Sequence, residues 1–270
     1  MGRKKIKNVT WVVDVPDFNT HWLDVQEEYR EKQNLVVKSN VMIQKTRYNL
    51  SLQEQKVILY CISKIKPQDE KFNTVLIDLR KLCNFCKIEL NGKNYKNFKD
   101  SIQELRNKSF WVRNGNQEIL CSWVEKVKIN TEDLTAEIRL DDTLMPYLLK
   151  LKENFTAYEL QNILLMKSKY AVSLYEILKS YSNLGCYEVF VKDLKDILQT
   201  AEYKEYNNFK VKVLDKAIEE INKYTDIRVG FSPIRNGRKI EKIFFRIYSY
   251  DEYVKSKYAR EKGVWFLDDK

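Results

Sequence analysis

Between Asn208 and Glu219 the chain runs NFKVKVLDKAIE, and its polar residues are of the kinds that hold polyanions and base edges. Lys210, Lys212 and Lys216 can neutralise phosphates, Lys212 or Lys216 can instead donate to guanine, Asn208 can pair with adenine, and Asp215 or Glu219 can accept from the cytosine amino group. On a helical wheel Leu214, Ala217, Ile218 and Ile221 share one side and Val211 borders it. Asn208, Lys212, Asp215, Lys216 and Glu219 lie opposite. Lysines in the first turns meet the positive end of the helix dipole, which disfavours each by roughly a few tenths of a kcal/mol. Phosphates beside that end would remove the penalty, and the helix amides could donate to them as well. Mixed charge with Lys216 three and four residues from Glu219 and Glu220 is also what an ordinary solvated helix carries. A second cluster tips the balance: Arg235, Arg238 and Lys239 surround Asn236-Gly237. A tight turn needs no such charge, whereas a hairpin tip beside a duplex does.

Other chemistries find less support. Cys83-Asn84-Phe85-Cys86 is a CxxC, but a structural zinc site needs four ligands and the rest of the supply is scattered cysteines and the single histidine, His21. No glycine spacing forms a phosphate-cradling loop. Seventeen tyrosines could supply a DNA-nicking nucleophile, as in rolling-circle initiators, yet such enzymes hold their metal with a histidine pair, and one histidine cannot form it. Asp141-Asp142 and Asp268-Asp269 are adjacent carboxylates, which on an extended chain point oppositely and suit turns better than a two-metal site. The expectation is a binding protein, not an enzyme, without cofactor or metal.

Composition agrees. Lys plus Arg exceed Asp plus Glu by 48 to 38 in 270 residues, a net +10. Between Lys204 and Arg246 eleven Lys/Arg stand against six Asp/Glu, so that segment holds +5 of it. A polyanionic partner suits this balance. The basic start, GRKKIK, reads as a solvated tail. No apolar run approaches the roughly 20 residues a bilayer span needs, and five scattered cysteines, an odd number, fit a reducing compartment. A cytoplasmic protein without membrane attachment is expected.

The elements that must position these residues occur twice. Ser51 to Glu54 (SLQE) is a capping box ahead of an apolar helical face of Leu52, Val57, Ile58, Cys61, Ile62 and Ile65. A short strand from Val75 to Ile77 leads to Asp78 as N-cap of a small helix. Tyr95 to Arg106 predicts a third helix with Tyr95, Phe98, Ile102 and Leu105 on its apolar side and Lys96, Asn97, Asp100 and Gln103 outside. A hairpin follows, with Asn114-Gly115 in the turn and Arg113 beside it. The second pass starts at Thr156 to Glu159 (TAYE), which reads as another capping box; its helical run breaks near Lys167–Tyr170 and closes at Gly185. Asp193, Leu194 and Ile197 match Asp78, Leu79 and Leu82, and Cys83 falls where Leu198 stands. Leu214, Ile218 and Ile221 match Phe98, Ile102 and Leu105, and Asn236-Gly237 matches Asn114-Gly115. The expected fold is α+β, two tandem winged-helix domains (34–150 and 151–250) between an N-terminal extension (1–33) and a C-terminal tail (251–270). The second reads bases; the first, with Lys96, Asn97 and Arg113, suits backbone contacts.

Three stretches resemble the plasmid replication initiator (Rep) family, whose members bind iterons, the short direct repeats of plasmid origins. They are Asn34–Ile62, Phe209–Asn222 and Thr225–Ile247. The resemblance implies two winged helices, the C-terminal one reading most iteron bases and the N-terminal one holding backbone and, in dimers, the partner subunit. It also implies origin opening by monomers, repression of the initiator's own promoter by dimers, and recruitment of the host initiator and helicase. A winged-helix transcriptional repressor without a replication role is the alternative. One departure stands out: where some relatives carry three consecutive basic residues after the phenylalanine of the reading helix, this chain has Lys210, Val211 and Lys212. Val211, at the edge of the apolar side, is expected to make no contact in their place.

Overall fold

The structure, a computed structural model, describes residues 26–253. The basic start, His21, Asp268-Asp269 and the tail from residue 254 lie outside the described residues. Helix α1 (residues 26–32) docks through Glu31, which is buried and meets the Tyr60 hydroxyl, Lys64 and Lys81.

One plan then runs twice. The first pass is β1 (Leu35–Ser39), α2 (Asn40–Lys45), α3 (Leu52–Ile62), β2 (Val75–Asp78), α4 (Leu79–Phe85), α5 (Gly92–Asn107) and the hairpins β3 (Ser109–Asn114)–β4 (Gln117–Ser122) and β5 (Val124–Asn130)–β6 (Thr135–Leu140). A 3-10 turn and α6 (Met145–Leu148) lead to the second pass. It comprises β7 (Phe155–Glu159), α7 (Gln161–Leu164), α8 (Lys169–Ser180), β8 (Cys186–Phe190), α9 (Val191–Ile197), α10 (Tyr206–Phe209), a π turn (Lys210–Leu214), α11 (Asp215–Tyr224) and the hairpin β9 (Ile227–Asn236)–β10 (Lys239–Ser249). Each unit builds a three-stranded antiparallel sheet with its last strand in the middle, β2-β6-β5 and β8-β10-β9. Three helices, the short strand after the first of them, and a closing hairpin are the parts of a winged helix.

Several local expectations are met by the local physics that motivated them. Ser51 and Glu54 form the capping box reciprocally, and Asp78 caps α4 by accepting from the Arg80 and Lys81 amides. Gly185 closes the 3-10 turn after α8 with φ at 69°. Phe98, Ile102 and Leu105 in α5, and Leu214, Ile218 and Ile221 in the second unit, are all buried.

Four details are corrected. Thr156–Glu159 is strand, not cap: β7 pairs antiparallel with β1 from Leu35↔Glu159 to Ser39↔Phe155. The Thr156 hydroxyl donates to Asn40 Oδ1 rather than closing a helix end. The hairpin holding Arg113 and Gly115 is not the first wing but a separate two-stranded insert. The equivalent of β9–β10 is β5–β6, closed by the loop after Asn130, whose side-chain oxygen accepts from the Glu132 and Asp133 amides. In both Asn-Gly hairpins the turn sits one residue later, because Asn114 pairs with Gln117 and Asn236 with Lys239. Gly115 and Gly237 are therefore the first central residues, with φ of 59° and 60°, conformations that cost glycine little. Finally, α9 starts at Val191 with Phe190 at its N-cap, so Asp193 does not cap it. Buried Val191, Leu194 and Leu198 answer to Leu79, Leu82 and Cys86.

The two units share a seam. Lys38 of β1, 1 % exposed, donates to both carboxylate oxygens of Glu176 on α8 at 2.9 Å and to the Tyr48 hydroxyl at 3.1 Å. The Tyr158 hydroxyl donates to Glu176 Oε1 at 2.7 Å. Burial alone would lower the Lys38 pKa, but Glu176 outweighs it and holds the ammonium above its ordinary range. Gln55 to Ser173 and Arg47 to Asp196 add further links between the units.

Candidate nucleic-acid interface

The third helix of the second unit is not a uniform α-helix. Continued at about 100° per residue from the buried set Leu214, Ala217, Ile218 and Ile221, an α-helix would aim Lys210 at the core and Phe209 at solvent. The π turn inserts one residue and rotates everything before it by about one position. The Asp215 amide bonds to the Lys210 carbonyl, five residues back. Phe209 and Val213 are thereby buried at 0 % exposure. Lys210 meets Asp215 at 2.8 Å and lies 5.7 Å from the Phe231 ring centroid.

The sequence-predicted residues therefore separate into two groups. Asn208, Lys212, Lys216 and Glu219 are exposed on the outer face. Lys210 and Asp215 are half-buried and paired with each other at 2.8–2.9 Å. Glu220 is no partner for Lys216: its Oε2 accepts from the Lys167 and Ser168 amides at 3.0 and 3.1 Å, at the start of α8. Val211, expected at the edge of the apolar side, is 53 % exposed.

The wing is β9–β10, with Arg238 in the two-residue turn and Arg235 and Lys239 on its flanking strand ends, all exposed. Between this tip, the start of α9 and the entry to α10 runs a groove of about 1070 Å³. Its cations are Lys192, Lys195, Lys204, Arg235, Arg238 and Lys239, against Asp193, Glu205 and Glu241. A concave surface carrying twice as many cations as anions focuses a field that attracts phosphate. Lys195 is spent inside the protein: its ammonium donates to the Tyr203 and Lys204 carbonyls at 2.6 and 2.9 Å, and burial lowers its pKa. It pins the loop that delivers the reading helix. Lys192 and Lys195 escape a reading of the sequence because they precede Lys204, where the basic segment begins; only the fold brings α9 beside the wing.

The first unit offers less. Lys96 is exposed and Asn97 half-buried on α5. Arg113 lies on the inserted hairpin, paired across it with Glu118, and so is not at the wing. Cys61, Cys83, Cys86 and Cys121 are buried, and burial pushes the Cys61 thiol up to about 12 and Cys83 to about 11. No helix among the described residues is long and apolar enough to cross a membrane.

Two such units in series, the second with a charged third helix beside a basic wing, define a tandem winged-helix protein. The chain belongs to the plasmid replication initiator (Rep) family: the pattern described as "Initiator Replication protein, WH1" matches residues 35–179 and "Initiator Rep protein, WH2" residues 191–247. The first match runs to the end of α8, past the expected boundary at residue 150. The chain is 31% identical over 193 residues to the "PI protein" of Escherichia coli, covering 64% of this chain and 62% of that one. It is 24% identical over 215 residues to a "Replication initiation protein" of Escherichia coli, covering 75% and 66%. The chain thus spans just under two thirds of the length of these two relatives. A crystal structure of Pi initiator protein in complex with iteron DNA shares the fold, with a TM-score of 0.69 at 23% identity over 81% of this chain and 98% of that one.

Proposed function

We propose that this protein is a plasmid replication initiator that binds tandem direct repeats of double-stranded DNA at its own origin. The second winged helix presents Asn208, Lys212, Lys216 and Glu219 to the major groove while Arg235, Arg238 and Lys239 straddle the adjacent backbone. The observation that carries this reading is the groove between the wing tip, the start of α9 and the entry to α10, lined by six lysines and arginines against three acidic residues. Family membership supports the replication role, and the solved relative was captured with iteron DNA. In the same reading the protein binds without cutting, represses its own promoter as a dimer, opens the origin as a monomer, and recruits the host initiator and helicase.

The test is a gel shift of a duplex carrying repeats from its own replicon, run in chelator and again with a divalent metal. A shifted, uncut duplex is expected. Metal-dependent nicking would make the protein a nuclease instead, and a shift confined to a lone promoter palindrome would make it a repressor without a replication role.

A further inference from the structure

We propose that Val211 is a base-reading residue, set by the π turn to meet the C5-methyl group of a thymine in the major groove. This rests on the reading of the second winged helix as the DNA-reading unit. Val211 is 53 % exposed and does not pack against the hydrophobic core. Its place in the sequence, three and seven residues before buried Leu214 and Ile218, would put it at the border of that core in an unbroken α-helix. The extra residue of the π turn rotates Phe209 inward and leaves Val211 facing out between half-buried Lys210 and exposed Lys212.

A β-branched side chain is a weaker helix former than the lysines beside it, so local propensity gives no reason to have it there. The side chain has no hydrogen-bonding group, so on a base edge it can make only an apolar contact. Among the features a base pair shows in the major groove, the thymine methyl is the apolar one. Its basic neighbours divide the remaining work: Lys212 is exposed to phosphate or guanine, while Lys210 is held by Asp215 at 2.8–2.9 Å. The same methyl is present on 5-methylcytosine, so the chemistry fixes a C5-methyl pyrimidine and the test separates the two sources.

The experiment uses the full chain and the repeat that it protects in footprinting. Each thymine is replaced singly by deoxyuridine, which removes the methyl and nothing else. At one position the substitution should weaken wild-type binding about fourfold, the change expected for one buried methyl group. Val211→Ala should weaken binding to the unmodified repeat by a similar factor and be indifferent to uracil at that position. A C·G pair placed there should regain affinity on cytosine methylation only with Val211 present. Uracil tolerated everywhere by the wild type, or Val211→Ala retaining the full uracil penalty, would overturn the assignment and leave Val211 an ordinary surface residue. Failure of the wild type to bind any repeat would remove the DNA-reading unit itself, a different result.

Discussion

Replacing Lys38 by methionine removes one charge from the seam between the two units and leaves the other behind. At 2.9 Å and an effective dielectric constant of about 20, the attraction between Lys38 and Glu176 is on the order of 6 kcal/mol. Loss of the lysine also takes three donated bonds away, two from Glu176 and one from Tyr48, while the Tyr158 hydroxyl still donates to Glu176. Relief of the lysine's own desolvation offsets part of this, so breaking a buried pair typically costs about 3–5 kcal/mol. Urea unfolding followed by circular dichroism at pH 7 should therefore show a deficit of about 3–5 kcal/mol for Lys38→Met. Lys38→Met/Glu176→Leu should recover part of the loss, since it removes the unpaired carboxylate but leaves the buried Tyr158 hydroxyl without its acceptor. A single-variant deficit below about 1 kcal/mol, or a double variant that costs the sum of the singles, would refute the account of the seam.

Three further outcomes are expected. Lys212→Ala should weaken specific binding by about 1–3 kcal/mol if the ammonium meets a base; an equal loss on scrambled duplex would make it a phosphate contact. Arg238→Ala should flatten the dependence of log affinity on log salt by about one unit if the guanidinium neutralises one phosphate, and an unchanged slope would take the wing tip out of the interface. Burial would raise the Glu31 pKa, but Lys64, Lys81 and Tyr60 together hold it below its ordinary value. Its contribution is present in full above about pH 4.5 and is lost as pH falls through the lowered folded pKa. Glu31→Gln should accordingly lower stability at pH 7 and converge with the wild type on acidification; a difference that is constant with pH would exclude the carboxylate as its cause.

The relation between sequence and structure divides along the range of the forces involved. The capping box at Ser51, the N-cap at Asp78 and the left-handed Gly185 are settled within a few residues, so they are legible in the sequence. The apolar spacing of Phe98, Ile102 and Leu105, and of Leu214, Ile218 and Ile221, is a one-helix property and is legible for the same reason. Repetition of the helix, strand, helix, helix order then places the two units and puts Lys212, Lys216 and the charged wing of the second unit on view.

What local pattern could not supply was the choice among competing partners. Thr156–Glu159 has the residues of a cap, yet β1 offers it a full ladder of backbone bonds, and the ladder prevails. Asn-Gly occurs in both the inserted hairpin and the second wing, so the strongest turn cue matched the wrong pair; strand order alone shows β5–β6 to be the first wing. The π turn is decided by tertiary packing: only a core able to accept Phe209 together with Val213 and Leu214 favours the extra residue in the turn. That single insertion pairs Lys210 with Asp215 and faces Val211 outward, because side-chain direction follows helix phase, and helix phase is set by what the rest of the chain buries.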